Sequence, residues 1–135
     1  IADELVIAVA HTATQRKSGL FDIYERVDML REVFAEDDGI RVVSFEGLLV
    51  DYCRAQGAGV VVRGLRAVSD FEYELQMAQM NQELQGVFVT VFFVTYVQYS
   101  FLSSSLVREA AKLGGDVSPF VSEPVLARLL ARFDA

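Results

Sequence analysis

Apolar runs of strand length recur along this 135-residue chain, and each is followed by a stretch with helical spacing. The first, Glu4-Leu5-Val6-Ile7-Ala8-Val9-Ala10, is unbroken and suits a strand covered on both faces. Ile40-Arg41-Val42-Val43-Ser44-Phe45, Val60-Val61-Val62 and Val87-Phe88-Val89-Thr90-Val91-Phe92-Phe93-Val94 read as the next three strands. The order is β-α-β-α-β-α-β-α-α. Parallel strands need crossovers of helix length, so this order predicts an α/β fold, a doubly wound parallel sheet with helices on both faces.

The intervening helices carry their own start and stop signals. Asp22 with Glu25 makes a capping box and opens a helix through Phe34, with Ile23, Val27, Leu30 and Phe34 on one stripe. Residues 48–56 form the next helix, stopped by Gly57. Ser69 with Glu72 reads as the cap of a third, reaching Leu84 and turning Phe71, Leu75, Ala78 and Gln82 inwards. Ser103, Ser104 and Ser105 precede a helix over 106–113 that Gly114 and Gly115 close. Ser122 caps the last helix, which has Pro124 in its first turn and runs to Phe133.

The length suits one domain over residues 1–135. A net charge of −7 argues against a nucleic-acid or anionic-membrane surface, which needs basic residues. The apolar runs are too short for a membrane span. The single cysteine, Cys53, excludes an internal disulfide and reads as a small buried hydrophobe.

Against this acidic background the cations at strand ends stand out. Arg63 and Arg66 follow the all-valine run in what reads as a tight turn, where ligands bind in parallel sheets. A guanidinium fork matches phosphate oxygens in pairs; the alternative is pairing with Asp70, Glu72 or Glu74. The polar loop over residues 11–19 adds Arg16 and Lys17, and its His11 reads as a solvated loop histidine. The serine trio could bind an anion at a helix N-terminus, although one serine suffices for a cap. No glycine-rich dinucleotide motif, P-loop, metal cluster or nucleophile elbow is present. What remains is phosphate chemistry by positioning and charge stabilisation, without a covalent enzyme intermediate.

Two long motifs are specific enough to suggest a family. They are Arg63-Gly64-Leu65-Arg66-Ala67-Val68-Ser69-Asp70-Phe71-Glu72-Tyr73-Glu74-Leu75-Gln76-Met77-Ala78 and Tyr99-Ser100-Phe101-Leu102-Ser103-Ser104-Ser105-Leu106-Val107. With Gly114-Gly115-Asp116-Val117-Ser118, they resemble bacterial phosphopantetheine adenylyltransferase, from Leu5 onwards. The resemblance implies a Rossmann-like domain that transfers AMP from ATP to 4′-phosphopantetheine by direct in-line attack, giving dephospho-CoA and pyrophosphate. It also implies Mg²⁺, a cytoplasmic homohexamer, and a place in coenzyme A biosynthesis.

By position, Lys17, Leu49 and Arg63 would contact phosphopantetheine, with Lys17 and Arg63 stabilising charge in catalysis. Gly64, Leu65, Arg66, Glu74, Tyr99, Ser100, Phe101, Leu102, Ser103, Ser104 and Ser105 would hold ATP. The family's first strand, its Thr/His-x-Gly-His segment and the following helix are missing from this chain. Loss of that central strand is expected to leave two unpaired ladder edges. The loop ending in Lys17 is longer than the family's, so Arg16 could take the role of Lys17. Thr95-Tyr96-Val97-Gln98 is more apolar than the family's loop. Another nucleotidyltransferase of the superfamily, for example one acting on a nicotinate nucleotide, is the alternative enzyme. A catalytically inactive nucleotide-binding fragment is the alternative of a different class.

Overall fold

The computed structural model describes residues 2–11, 19–84 and 88–134, with the side chains of Val68 and Ser69 also left aside. The elements run β1 (Leu5–Ala10), α1 (Ile23–Val33), β2 (Ile40–Phe45), α2 (Leu49–Gln56), β3 (Val60–Leu65), α3 (Val68–Leu84), β4 (Val89–Val94), α4 (Ser104–Lys112) and α5 (Glu123–Phe133). The chain is α/β with parallel strands, as the alternation of apolar runs and helices implies. Among the described residues the strands pair two by two, β1 with β2 and β3 with β4. The chain groups into two compact units: the segment up to Glu46 with the segment from Ser103 onwards, and Gly47–Leu102.

In the first unit β1 and β2 pair in parallel, with Ile7 opposite Val42 and Val9 opposite Ser44. Val9 and Val42 share a face, and α1 covers it with Val27, Ile23 and Leu30. Each valine so buried stabilises by about 1.5–3 kcal/mol. The capping box of α1 is present: the Asp22 carboxylate accepts from the Glu25 amide at 2.8 Å, and the Asp22 amide donates to Glu25 at 2.9 Å. α4 and α5 pack around Ala111, Val117 and Leu129. α4 ends in a Schellman motif, with the Gly114 and Gly115 amides donating to the Ala111 and Ala110 carbonyls. Gly114 has φ +85°, a conformation that costs a side chain. Ser122 precedes α5 without a side-chain capping bond, so Pro124 is the start signal that operates there.

In the second unit, Val50, Cys53 and Phe88 form the core, joined by Leu49, Ala58 and Val61. β3 runs three residues beyond the valines, because Arg63, Gly64 and Leu65 pair with Phe92, Phe93 and Val94 of β4. The expected turn at Arg63 and Gly64 is therefore strand. α3 begins at Val68, so Ser69 lies in its first turn and not at its cap. The inward stripe of α3 also differs from expectation. Asp70, Glu74, Met77, Ala78 and Asn81 are half-buried, whereas Phe71, Leu75 and Gln82 are exposed. The physical reason is the short link after β3: starting the helix at Val68 fixes which residues face the strands. The described part of β4 starts at Val89; Val87 lies outside the described residues.

Candidate active site

Side chains alternate across a strand, so Arg63 shares a face of β3 with Val61 and Leu65. α3 lies against that strand, and between them is a shallow cleft of about 200 Å³, counting the open space at its mouth. Its lining includes Leu49 from α2, Val61 and Arg63 from β3, Glu74, Met77 and Asn81 from α3, and Thr90 from β4. The walls are largely apolar, and Arg63 is the cation among them.

Glu74 grips that arginine with both oxygens. Arg63 Nε donates to Glu74 Oε2 at 2.8 Å, and Nη2 donates to Oε1 at 2.6 Å. Two parallel charge-assisted bonds of this kind are stronger than neutral ones and fix the relative geometry of the two groups. The hydrogen bonds to Glu74 push the Arg63 guanidinium above its usual pKa, against the opposing effect of burial. It is therefore a permanent cation.

Arg66 lies one residue past β3 and has other partners. Its Nε and its backbone amide both donate to Asp70 Oδ2, at 3.0 and 3.2 Å, and Nη1 donates to the Leu102 carbonyl. The Thr95 amide donates to the Leu65 carbonyl at 2.9 Å, extending the β3–β4 ladder by one rung. Arg66 thus ties the link between β3 and α3 to the segment after β4. Its hydrogen bonds hold the Asp70 carboxyl below the usual aspartate range.

The structure brings some of the expected site residues together and separates the roles of others. Leu49, Arg63 and Glu74 line one cleft. Arg66 and Leu102 are in direct contact. Gly64 occupies the face of β3 opposite Arg63 and has open space where a Cβ would sit. The Leu65 side chain is buried, so a ligand can reach it only through its backbone. Tyr99 closes a single 3₁₀ turn over Val97–Tyr99, and the Ser100 hydroxyl donates to the Val97 carbonyl at 2.8 Å. Tyr99 and Phe101 are exposed.

The serine trio belongs to the other unit and divides its labour there. Ser103 caps α4, its Oγ accepting from the Leu106 amide at 3.1 Å. Ser104 opens the first turn, two residues before the expected helix start, and Ser105 Oγ accepts from Arg108 at 3.3 Å. His11 Nδ1 lies 3.7 Å from the exposed Glu46 carboxylate. Lys17 and Arg16 lie outside the described residues.

Sequence reasoning misses Met77, Asn81 and Thr90. Two signals could have found them. Met77 and Asn81 follow Glu74 at helical spacings of three and seven, and Thr90 pairs with Val61 in the ladder.

A family profile described as cytidylyltransferase-like matches residues 1–110. The phosphopantetheine adenylyltransferase of Streptomyces coelicolor is 55% identical over 130 residues, covering 96% of this chain and 80% of that protein. The protein of the same name from Syntrophotalea carbinolica is 50% identical over 133 residues, covering 98% and 79%. That from a Nocardioides species is 51% identical over 135 residues, covering the whole of this chain and 83% of its own length.

Proposed function

The chain belongs to the phosphopantetheine adenylyltransferase family, a family of enzymes, and we propose that it transfers AMP from ATP to 4′-phosphopantetheine. The products are dephospho-CoA and pyrophosphate, and the step belongs to coenzyme A biosynthesis. A phosphate oxygen of phosphopantetheine attacks the α-phosphorus of ATP in line. The new P–O bond forms as the bond from the α-phosphorus to the bridging oxygen breaks, and that electron pair leaves with pyrophosphate.

The observation that carries this reading is the Arg63–Glu74 couple set over a cleft with apolar walls. Arg63 would orient the attacking phosphate while Leu49 and Met77 line the path of the pantetheine arm. Asn81 suits the amides of that arm, since it offers both a donor and an acceptor. Gly64, Leu65, Arg66 and the stretch over residues 99–105 would hold ATP, and Lys17 would supply a second cation. Catalysis on this reading is alignment and charge stabilisation.

Among the described residues no group of three carboxylate, histidine or cysteine side chains is placed to hold a metal ion. On this reading Mg²⁺ is carried by the ATP phosphates and arrives as part of the substrate, as is usual for this ion. The same reading makes the protein a cytoplasmic homohexamer. The exposed apolar residues Tyr73, Met80 and Leu84 of α3 support the assembly.

The test is pyrophosphate release from ATP and Mg²⁺ with and without 4′-phosphopantetheine. Release that depends on phosphopantetheine is the expected result. Release that depends instead on nicotinate mononucleotide would move the chain to a sister nucleotidyltransferase, and no release with either acceptor would leave a binding fragment.

A further inference from the structure

Arg63 is held in a way that charge neutralisation alone does not require. A guanidinium has five N–H donors in one plane, and Glu74 takes two of them along the Nε–Nη2 edge. The three that remain lie at the end of the fork, on Nη1 and on the outer side of Nη2. The Glu74 side chain is 13% exposed and that of Arg63 is 40% exposed. The carboxylate is the inner partner and the guanidinium the outer one. With Leu49, Val61, Met77 and Ala78 around them, the pair leaves the cleft lining without net charge.

We propose that Glu74 is a positioning residue that acts through Arg63, turning the end of the guanidinium towards the attacking phosphate and offsetting its charge. This rests on the adenylyl-transfer reading and changes the role that resemblance gives Glu74, which is contact with ATP. The chemistry explains why an offset helps. As the phosphate of phosphopantetheine attacks, it passes negative charge towards the departing pyrophosphate. A bare arginine would hold the dianion best before reaction, and binding that is strongest in the ground state slows the chemical step. Glu74 lowers that ground-state hold while its two bonds keep the remaining donors aimed.

The experiment compares Glu74→Gln and Glu74→Asp with the unaltered protein. It reads kcat, the KM for ATP, and the dissociation constant of phosphopantetheine measured without ATP. Glu74→Gln removes the charge and one acceptor. Phosphopantetheine should bind several-fold more tightly, kcat should fall about 10²-fold as alignment is lost, and the KM for ATP should stay unchanged. Glu74→Asp keeps the charge but, one methylene shorter on the same helix position, does not reach Arg63 Nε and Nη2 together. It should lower kcat without tightening phosphopantetheine, and it carries the test if Glu74→Gln fails to fold. A raised KM for ATP with unchanged phosphopantetheine binding would overturn the proposal in favour of direct ATP contact. Unchanged kcat in both variants would also overturn it. If the unaltered protein shows no phosphopantetheine-dependent release, the adenylyl-transfer reading falls and takes the proposal with it; an active parent with unaffected variants removes the proposal alone.

Discussion

Replacing Arg63 with methionine separates the two things this residue does, because Arg63→Met keeps an unbranched stem and removes only the guanidinium. The stability cost comes from Glu74, whose carboxylate is left without its partner in a mostly buried position. Loss of a partner from a fully buried pair costs about 3–5 kcal/mol, and an exposed pair contributes no more than about 1 kcal/mol. With the arginine two-fifths exposed and screened by solvent, the expected cost is about 1–2 kcal/mol. That is a minor part of a typical folding free energy of about 5–15 kcal/mol, so the variant should stay folded. The catalytic cost is larger. Loss of the group that aligns the attacking phosphate should lower kcat about 10²-fold, or about 2.7 kcal/mol. The assay is pyrophosphate release at saturating ATP and phosphopantetheine, with urea unfolding measured on the same preparation. A second change, Glu74→Gln on top of Arg63→Met, should recover stability, because no unpaired carboxylate remains, while activity stays low. A variant that keeps kcat within a few-fold of the parent would refute the assignment of Arg63 to the reacting phosphate.

Two further predictions concern the scaffold. Gly114→Ala places a side chain at φ +85° and should cost about 1–2 kcal/mol, whereas Gly115→Ala drives a Cβ to 3.0 Å from the Ala110 carbonyl oxygen that its own amide bonds. The urea midpoint should fall further for Gly115→Ala, and the opposite order would contradict the Schellman geometry. Hydrogen bonds from Arg66 depress the Asp70 carboxyl below its ordinary 3.8, so its contribution is full above that value and is lost as pH falls through the lower folded one. Asp70→Asn should therefore lower stability near neutrality, where the contribution is full, and flatten the acid limb of the profile below about pH 4; a parental slope in acid would rule this out.

Much of the scaffold is legible because its signals are local. The Asp22–Glu25 box closes as its spacing implies, and Gly57 and Gly114 end their helices in left-handed conformations. The residues Leu49, Arg63 and Glu74 are also legible as site candidates, and they do line one cleft. Their arrangement is another matter, because it depends on contacts distant in sequence. Three valines followed by arginine and glycine read as a strand and then a turn. Nothing in that stretch reports that Arg63, Gly64 and Leu65 will find Phe92, Phe93 and Val94 as ladder partners. Once they do, the direction of Arg63 follows from its position in the strand. It lies two residues from Val61, so it faces α3. Arg66 lies beyond the ladder, where Asp70 and the Leu102 carbonyl decide its direction. Two arginines that look equivalent three residues apart therefore have different tasks, one facing a cleft and one tying two segments together. A slip of one residue in β3 would exchange Arg63 for Gly64 on the face that meets Glu74. Register, and not the presence of arginine after a valine run, gives this cleft its cation.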